Sequence, residues 1–193
     1  LPAGRQVGTF DRGNTLNTVF GRLDWQMNES HRATLRTTYS DFFYDNSIPD
    51  RELSVLESRG NQKSREVQVM ASVKSNLASR TTNDFRLAYT NRILENQANV
   101  RLPRAWVNVS PALPTGGTGT NQVLQFGGQR TSPELQTEVS YQLVNVLRLD
   151  RDRSAFTLGT DHSLNDLSMF VSIETDGLFQ FPNLAALEAR RPS

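Results

Sequence analysis

The chain has 193 residues, enough for one sizeable domain, with a formal net charge of +1 and a hydrophobic share of 36%. The absence of cysteine excludes disulfides and thiolate metal sites, and the absence of an apolar run of about 18 residues excludes a transmembrane helix. Because apolar residues are spread along the chain and the net charge is small, the composition does not indicate disorder.

Alternation of apolar and polar side chains with a period of two dominates the sequence and predicts six β-strands. In residues 65–76, apolar side chains from Val67 to Val73 alternate with polar ones, and only Met70 breaks the polar face. A helix over the same residues would have no continuous apolar stripe. Each strand is near the length of about 9–11 residues that crosses a bilayer at a tilt. In chain order, the predicted strands are 18–27, 32–40, 65–76, 84–89, 138–143 and 155–161.

The connections between these strands alternate in length. Short turns are expected at 28–31, 77–80 and 150–153, and long connections at 41–64, at 91–133 and from about Asn165 onwards. Transmembrane barrels combine short periplasmic turns with long extracellular loops, whereas the turns of a soluble β-sandwich recur every 8–12 residues or so. The sequence therefore predicts an all-β fold. The predicted fold is an antiparallel up-and-down transmembrane β-barrel, of which this chain would supply about six to eight strands of a larger barrel.

The polar faces of the strands carry charges of both signs, as the wall of a water-filled lumen does. The solvated outer face of a sandwich would look the same, so the loop lengths alone favour the barrel. The residues expected on this face are Arg22, Asp24, Arg32, Arg36, Glu66, Lys74, Asp84, Arg86 and Glu138.

Aromatic side chains on the apolar faces give a second indication of a membrane. Trp25, Tyr39 and Tyr89 are expected towards strand ends, where they fit the aromatic girdles at the headgroup level. Ordinary core aromatics are the alternative interpretation.

The last part of the chain predicts a short strand followed by one or two helical turns. Residues 176–181 alternate like a strand, and residues 184–190 have high helix propensity. Asn183 is expected to cap this helix and Pro192 to stop it.

No constellation of residues predicts an enzyme, a cofactor or a metal site. His31 is expected in a turn and His162 near a strand end, and a metal site needs more converging ligands. Asp161 and His162 are neighbours on a strand, so they point to opposite faces and cannot easily cooperate. The glycine-rich run at 116–119 lacks the Gly-Lys-Ser/Thr of a phosphate-binding loop. Acids expected to form a charged loop in water, rather than a cation site, are Asp45, Asp50, Glu52 and Glu57.

The charges do not indicate a particular partner. The 21 basic and 20 acidic residues are interspersed, so no basic stripe marks a nucleic-acid site. Nearly all the cations are arginine, with lysine only at Lys63 and Lys74. Two explanations account equally well for the preference for arginine over lysine. Guanidinium groups could pair with carboxylates in a polar interior, or the genome could have a compositional bias.

Two stretches resemble a known family. Residues 20–26 (Phe-Gly-Arg-Leu-Asp-Trp-Gln) and 31–36 (His-Arg-Ala-Thr-Leu-Arg) resemble the opening barrel hairpin of TonB-dependent outer-membrane receptors. The likeness is to the Oar-like class, which carries an N-terminal carboxypeptidase-regulatory-like domain. Residues 177–187, with the ending 191–193, resemble a recurrent stretch of the same barrels, and residues 11–15 fit the approach to the first strand. The resemblance covers most of the chain in order and rests on short patterns and strand rhythm.

The resemblance implies a receptor of the cell outer membrane that binds a scarce nutrient and imports it with energy delivered through TonB. Such receptors close a barrel of about 22 strands around a plug domain. Residues 1–193 would be part of the barrel domain, a processed or internal piece, with the plug domain, N-terminal domains and TonB box expected before Leu1. The implied partners are outer-membrane lipid, the rest of the barrel and plug, TonB through those N-terminal parts, and an unidentified nutrient.

Two other functions stay open on the sequence alone. One is a surface barrel whose long loops bind polymer or host material without import, and the other is a soluble periplasmic β-sandwich that binds carbohydrate. A plug domain and TonB box upstream of Leu1 would favour import over adhesion, and dependence on detergent would exclude the sandwich.

Overall fold

A computed structural model describes residue 10 and residues 12–47, 53–110 and 117–193. The predictions that involve Asp11, Asp50, Glu52 and Gly116 lie outside these residues. The elements, in chain order, are strands β1 (Asn14–Gln26), β2 (His31–Tyr44), β3 (Leu53–Ser54), β4 (Gly60–Ala78), β5 (Thr81–Ala98), β6 (Arg104–Val109), β7 (Gln122–Gly127), β8 (Glu134–Arg151), β9 (Ser154–Val171) and β10 (Leu178–Phe181), then helix α1 (Leu184–Glu188).

Six long strands form one open sheet, which we call the long sheet. Its order is β1-β2-β4-β5-β8-β9, and every pair is antiparallel. All six predicted strands are confirmed, and the all-β up-and-down architecture with them. Among the described residues, β1 and β9 each have a strand neighbour on one side only, so the sheet does not close on itself.

The long strands have 13 to 19 residues and are longer than predicted. Alternation identifies a strand only where one face is apolar, and several strands continue beyond that part. At the start of β4, residues 61–64 are polar on both faces and are held by backbone pairing with β5 and, from Gln62 onwards, with β2 as well. For the same reason, the third long connection does not begin near Asn165, since β9 continues to Val171.

Short turns join the long strands at one end of the sheet. They lie at residues 27–30, 79–80 and 152–153, as predicted, while the longer connections lie at the opposite end. In the first turn, the Asn28 side-chain oxygen accepts hydrogen bonds from the backbone N–H groups of Ser30 and His31, both at 2.9 Å. This Asx turn explains why a polar residue reverses the chain there.

The longer connections build a second sheet, which we call the loop sheet. Its order is β10-β6-β7-β3, with an antiparallel β6–β7 hairpin and parallel outer pairs. The long connections predicted at 41–64 and 91–133 are present, but they begin later, after β2 and β5, and they contain strands that the sequence analysis did not predict. The apolar runs in β6 and β7 are only a few residues long, too short to be distinguished from a loop by periodicity.

Hydrophobic burial is confined to the region of the loop sheet. Among the described residues, the buried hydrophobic side chains are Val55, Ala105 and Val107. The apolar face of the long sheet is open, with Leu23 65% and Tyr141 49% exposed. A contiguous exposed apolar face of this kind marks a surface covered by another apolar phase or partner.

Strand register places each predicted set of side chains on one face. Lys74 lies between Arg32 and Asp84 on one face, and Val69 lies between Thr37 and Tyr89 on the other. The aromatic prediction needs correction, because only Trp25 lies at a strand end. Tyr39 and Tyr89 lie in strand interiors, where the Tyr89 ring packs 5.3 Å from that of Tyr141.

The tail matches its prediction closely. β10 is followed by α1, and the Asn183 side chain accepts the N–H of Ala186 at 2.8 Å as the helix cap. The helix ends before Pro192, because Arg190 adopts a positive φ of 54° and the Arg191 N–H returns to the Ala186 carbonyl. Within the described residues, no helix has the length and apolar character needed to cross a membrane.

Candidate functional site

The charged face of the long sheet is organised by pairs of residues two positions apart. Residues i and i+2 of a strand share a face, and this brings Arg22 to 2.8 Å from Asp24 and Arg86 to 2.8 Å from Asp84. Each carboxylate also faces a cation on the next strand. Arg32 lies 3.5 Å from Asp24, and Lys74 lies 3.9 Å from Asp84. The result is a charged lattice near the short turns.

The two ends of this face differ in charge. Near the short turns cations outnumber carboxylates, while near the long connections Arg92 lies between Glu66 and Glu138. Among the described residues, Arg36 and Arg92 have no carboxylate within ion-pair distance. The Arg36 guanidinium instead lies 5.2 Å from the centre of the Phe20 ring. Both guanidinium groups therefore keep donors available to a molecule at this face.

Two hollows lie on the charged face. The larger, of about 370 Å³, is near the long connections, and the smaller, of about 220 Å³, is near Arg36. The larger hollow is lined by hydroxyl and amide groups, one positive and one negative charge, and one aromatic ring. This lining suits a small polar molecule better than an apolar one. The larger hollow is lined by Ser40, Phe42, Gln62, Ser64, Glu66, Arg92 and Leu94.

The loop sheet contains a buried arginine. Arg104 is 2% exposed, forms an ion pair with Glu174, and its guanidinium lies 4.5 Å from the centre of the Trp106 ring. Burial lowers the pKa of Arg104, and the Glu174 carboxylate acts in the opposite direction. The arrangement joins the segment after β9 to β6, so it holds the loop sheet together from two distant parts of the chain.

Side chains also tie the separate connections to each other. The Asn99 amide donates to the Leu56 carbonyl at 2.9 Å and to the Asn46 side chain at 2.7 Å. The Gly127 N–H donates to the Glu57 carboxylate at 3.1 Å. Gly127 has a φ of 83°, and a Cβ there would lie 2.1 Å from the Pro103 carbonyl oxygen, so this position requires glycine. The loop sheet is thus an ordered platform at the end opposite the short turns.

The histidines and acids considered in the sequence are dispersed in the structure. His31 is the first residue of β2, with its Nδ1 2.9 Å from the Ser75 hydroxyl. His162 lies in the middle of β9, so its predicted place near a strand end was wrong. Asp161 lies on the opposite face and accepts from the Gln142 amide at 2.9 Å. The described residues contain no group of three or more His, Asp or Glu arranged for a metal ion.

Sequence reasoning missed the hollows and the buried arginine. The hollows depend on the register between three strands, which side-chain alternation within one strand does not reveal. Arg104 directly precedes the apolar residues 105–107. An arginine next to an apolar run within a long connection was the one sequence signal that could have indicated a buried arginine.

Comparison with known proteins identifies one family. A family model described as "Outer membrane beta barrel domain" matches residues 5–190. No curated protein and no solved structure gives a match.

Proposed function

Since the chain belongs to the family of outer membrane beta barrel domains and is located in the outer membrane, we propose that it forms part of the wall of a TonB-energised nutrient receptor. On this proposal the apolar face of the long sheet meets lipid and the charged face lines the lumen. The short turns lie in the periplasm, and the loop sheet lies outside the cell. The soluble β-sandwich is excluded by this membership.

The larger hollow on the charged face is the observation that carries the proposal. It brings Glu66, Arg92 and several hydroxyl and amide groups together on the charged face, which lines the lumen on this proposal. A ligand that enters past the loops would meet hydrogen-bonding groups there before the charged lattice near the periplasm. The resemblance of residues 20–36 to TonB-dependent receptors supports import as the outcome of that binding.

Adhesion without import is the second candidate. The loop sheet is held by an ion pair and several hydrogen bonds. Phe179 of β10 and Leu184 of the adjacent helix α1 are 47% and 52% exposed. An ordered outer platform with apolar contacts suits binding of surface material as well as it suits capture of a nutrient.

Growth on a panel of carbon and iron sources distinguishes the two functions and does not require the ligand to be identified first. One strain lacks the natural protein that contains this chain, and a second strain lacks TonB. We expect both strains to share a growth defect on at least one nutrient supplied at low concentration. Loss of surface attachment with normal growth on every source would reject import and favour adhesion.

A further inference from the structure

The apolar face of the long sheet is not uniform from one edge to the other. On β4 the side chains of this face from Val67 to Val73 are all apolar. On β9 every second residue from Thr160 to Ser168 lies on the same face, and only Leu164 among them is apolar. We call the following residues the outer polar stripe: Asn145 of β8, and Thr160, His162, Asp166 and Ser168 of β9.

The outer polar stripe is enclosed by apolar side chains at both ends. Towards the short turns Leu158 lies opposite Leu147, and towards the long connections Phe170 lies opposite Leu135. Phe156 lies on the same face of β9, two residues closer to the short turn than Leu158, and is taken as the periplasmic end of the apolar region. From Phe156 to Phe170 the strand extends about 46 Å, at about 3.3 Å per residue. At a tilt of about 40° this corresponds to about 35 Å along the membrane normal, which exceeds the apolar band of about 25 Å on outer-membrane barrels.

The position of the stripe therefore puts its polar groups at membrane depth. His162 lies near the middle of the apolar limits, so no displacement along the membrane normal brings all of the stripe into water. Lipid tails offer no partner to an imidazole, a carboxylate or an amide, and such groups at this depth normally contact protein.

We propose that the β8–β9 part of this face is covered by a second copy of the protein. Threonine, serine, asparagine and histidine side chains each both donate and accept hydrogen bonds. A stripe of such groups is complementary to itself, which is what a two-fold interface requires, because the same patch is used on both partners. In this interface the single carboxylate, Asp166, accepts hydrogen bonds from hydroxyl groups of the other copy. The inference rests on the outer-membrane location of the chain and is independent of nutrient import.

Cysteine cross-linking in intact outer membranes tests the interface, because the chain has no cysteine of its own. The natural protein that contains the chain is given one cysteine at a time, as Thr160→Cys, His162→Cys or Leu164→Cys. Leu35→Cys, on the same face but on β2, is the matched control. After mild oxidation we expect at least one β9 position to give a product of twice the monomer mass, at several times the yield of the control.

Each other result overturns the proposal. Equal yields at Leu35 and at the β9 positions would indicate random collision, and no product at any β9 position would reject contact. A product with a different mass would identify another protein as the partner. The unsubstituted protein supplies a measurement that needs no variant. Light scattering in mild detergent is expected to give a dimer, and a monomer there would also reject the second copy.

Discussion

Along β4 the pleat decides which surroundings each side chain meets. Val69 lies between Thr37 and Tyr89 on the apolar face, whereas Gln68 lies between Thr38 and Thr90 on the charged face. These neighbours on one strand therefore report on two different phases if the long sheet is part of a barrel in a bilayer.

Substitution of each of these two residues by arginine is expected to have very different effects. Val69→Arg places a charge against lipid and should lower the unfolding free energy by about 2–4 kcal/mol if the position lies at the bilayer midplane. Gln68→Arg, the matched control, faces water and should cost little. Urea titration of the natural protein in lipid vesicles measures both, and a larger loss at Gln68 would mean that the faces are reversed.

At the scale of elements, the loop sheet combines a small group of buried apolar side chains with a buried charge. Arg104 is almost completely enclosed, and its partner Glu174 lies on the segment that leads into β10. Replacing the Glu174 carboxylate by a neutral amide would remove the negative charge that compensates Arg104 in this pair, and such a loss costs more at a buried site than at an exposed one.

Glu174→Gln is therefore expected to loosen the loop sheet and leave the long sheet intact. The local opening free energy of β6 and β7 should fall by about 1.5–3 kcal/mol, the usual range for a hydrogen bond to a charged group. Hydrogen exchange of backbone amides measures this in the natural protein, with Asp176→Asn, an exposed acid two residues later, as control. Unchanged exchange in β6 and β7 would show that the ion pair does not hold the platform.

The elements differ in how far the sequence predicts them. The six long strands, their short turns and the capped helix follow from local signals, namely alternation, Asn28 in its turn and Asn183 at its cap. The loop sheet does not, because β3 and β10 pair in parallel with strands more than 60 residues away in the chain. The residues that line the hollows could not be predicted from the sequence either, because they are brought together by the register of three strands.

At the scale of the whole molecule, the open edges are the main property of the long sheet. In the part of the chain that the structure describes, strands β1 and β9 each leave a row of backbone N–H and C=O groups without a strand partner on one side. Each such group exposed to hydrocarbon costs several kcal/mol, and the smallest closed barrels have about eight strands. The sheet is therefore expected to need further strands, from the same chain or from another, beside β1 and β9.

Residues 1–193 expressed alone are expected to form inclusion bodies or ill-defined oligomers. In water, the apolar face and the two bare edges both promote association. Size-exclusion chromatography and circular dichroism without detergent measure this outcome. A monodisperse monomer with a cooperative thermal transition would contradict the need for neighbouring strands.

The loop sheet is assembled from separate segments of the chain, and this restricts how the sequence and length of those segments can vary. Its strands come from three separate parts of the chain, and each strand is held in register by the next. An insertion within one segment would displace the pairing of the others, so the three segments cannot change length independently. Variation of the loop sheet is thereby restricted to side chains and to the stretches between the strands, while the backbone pairing stays constant.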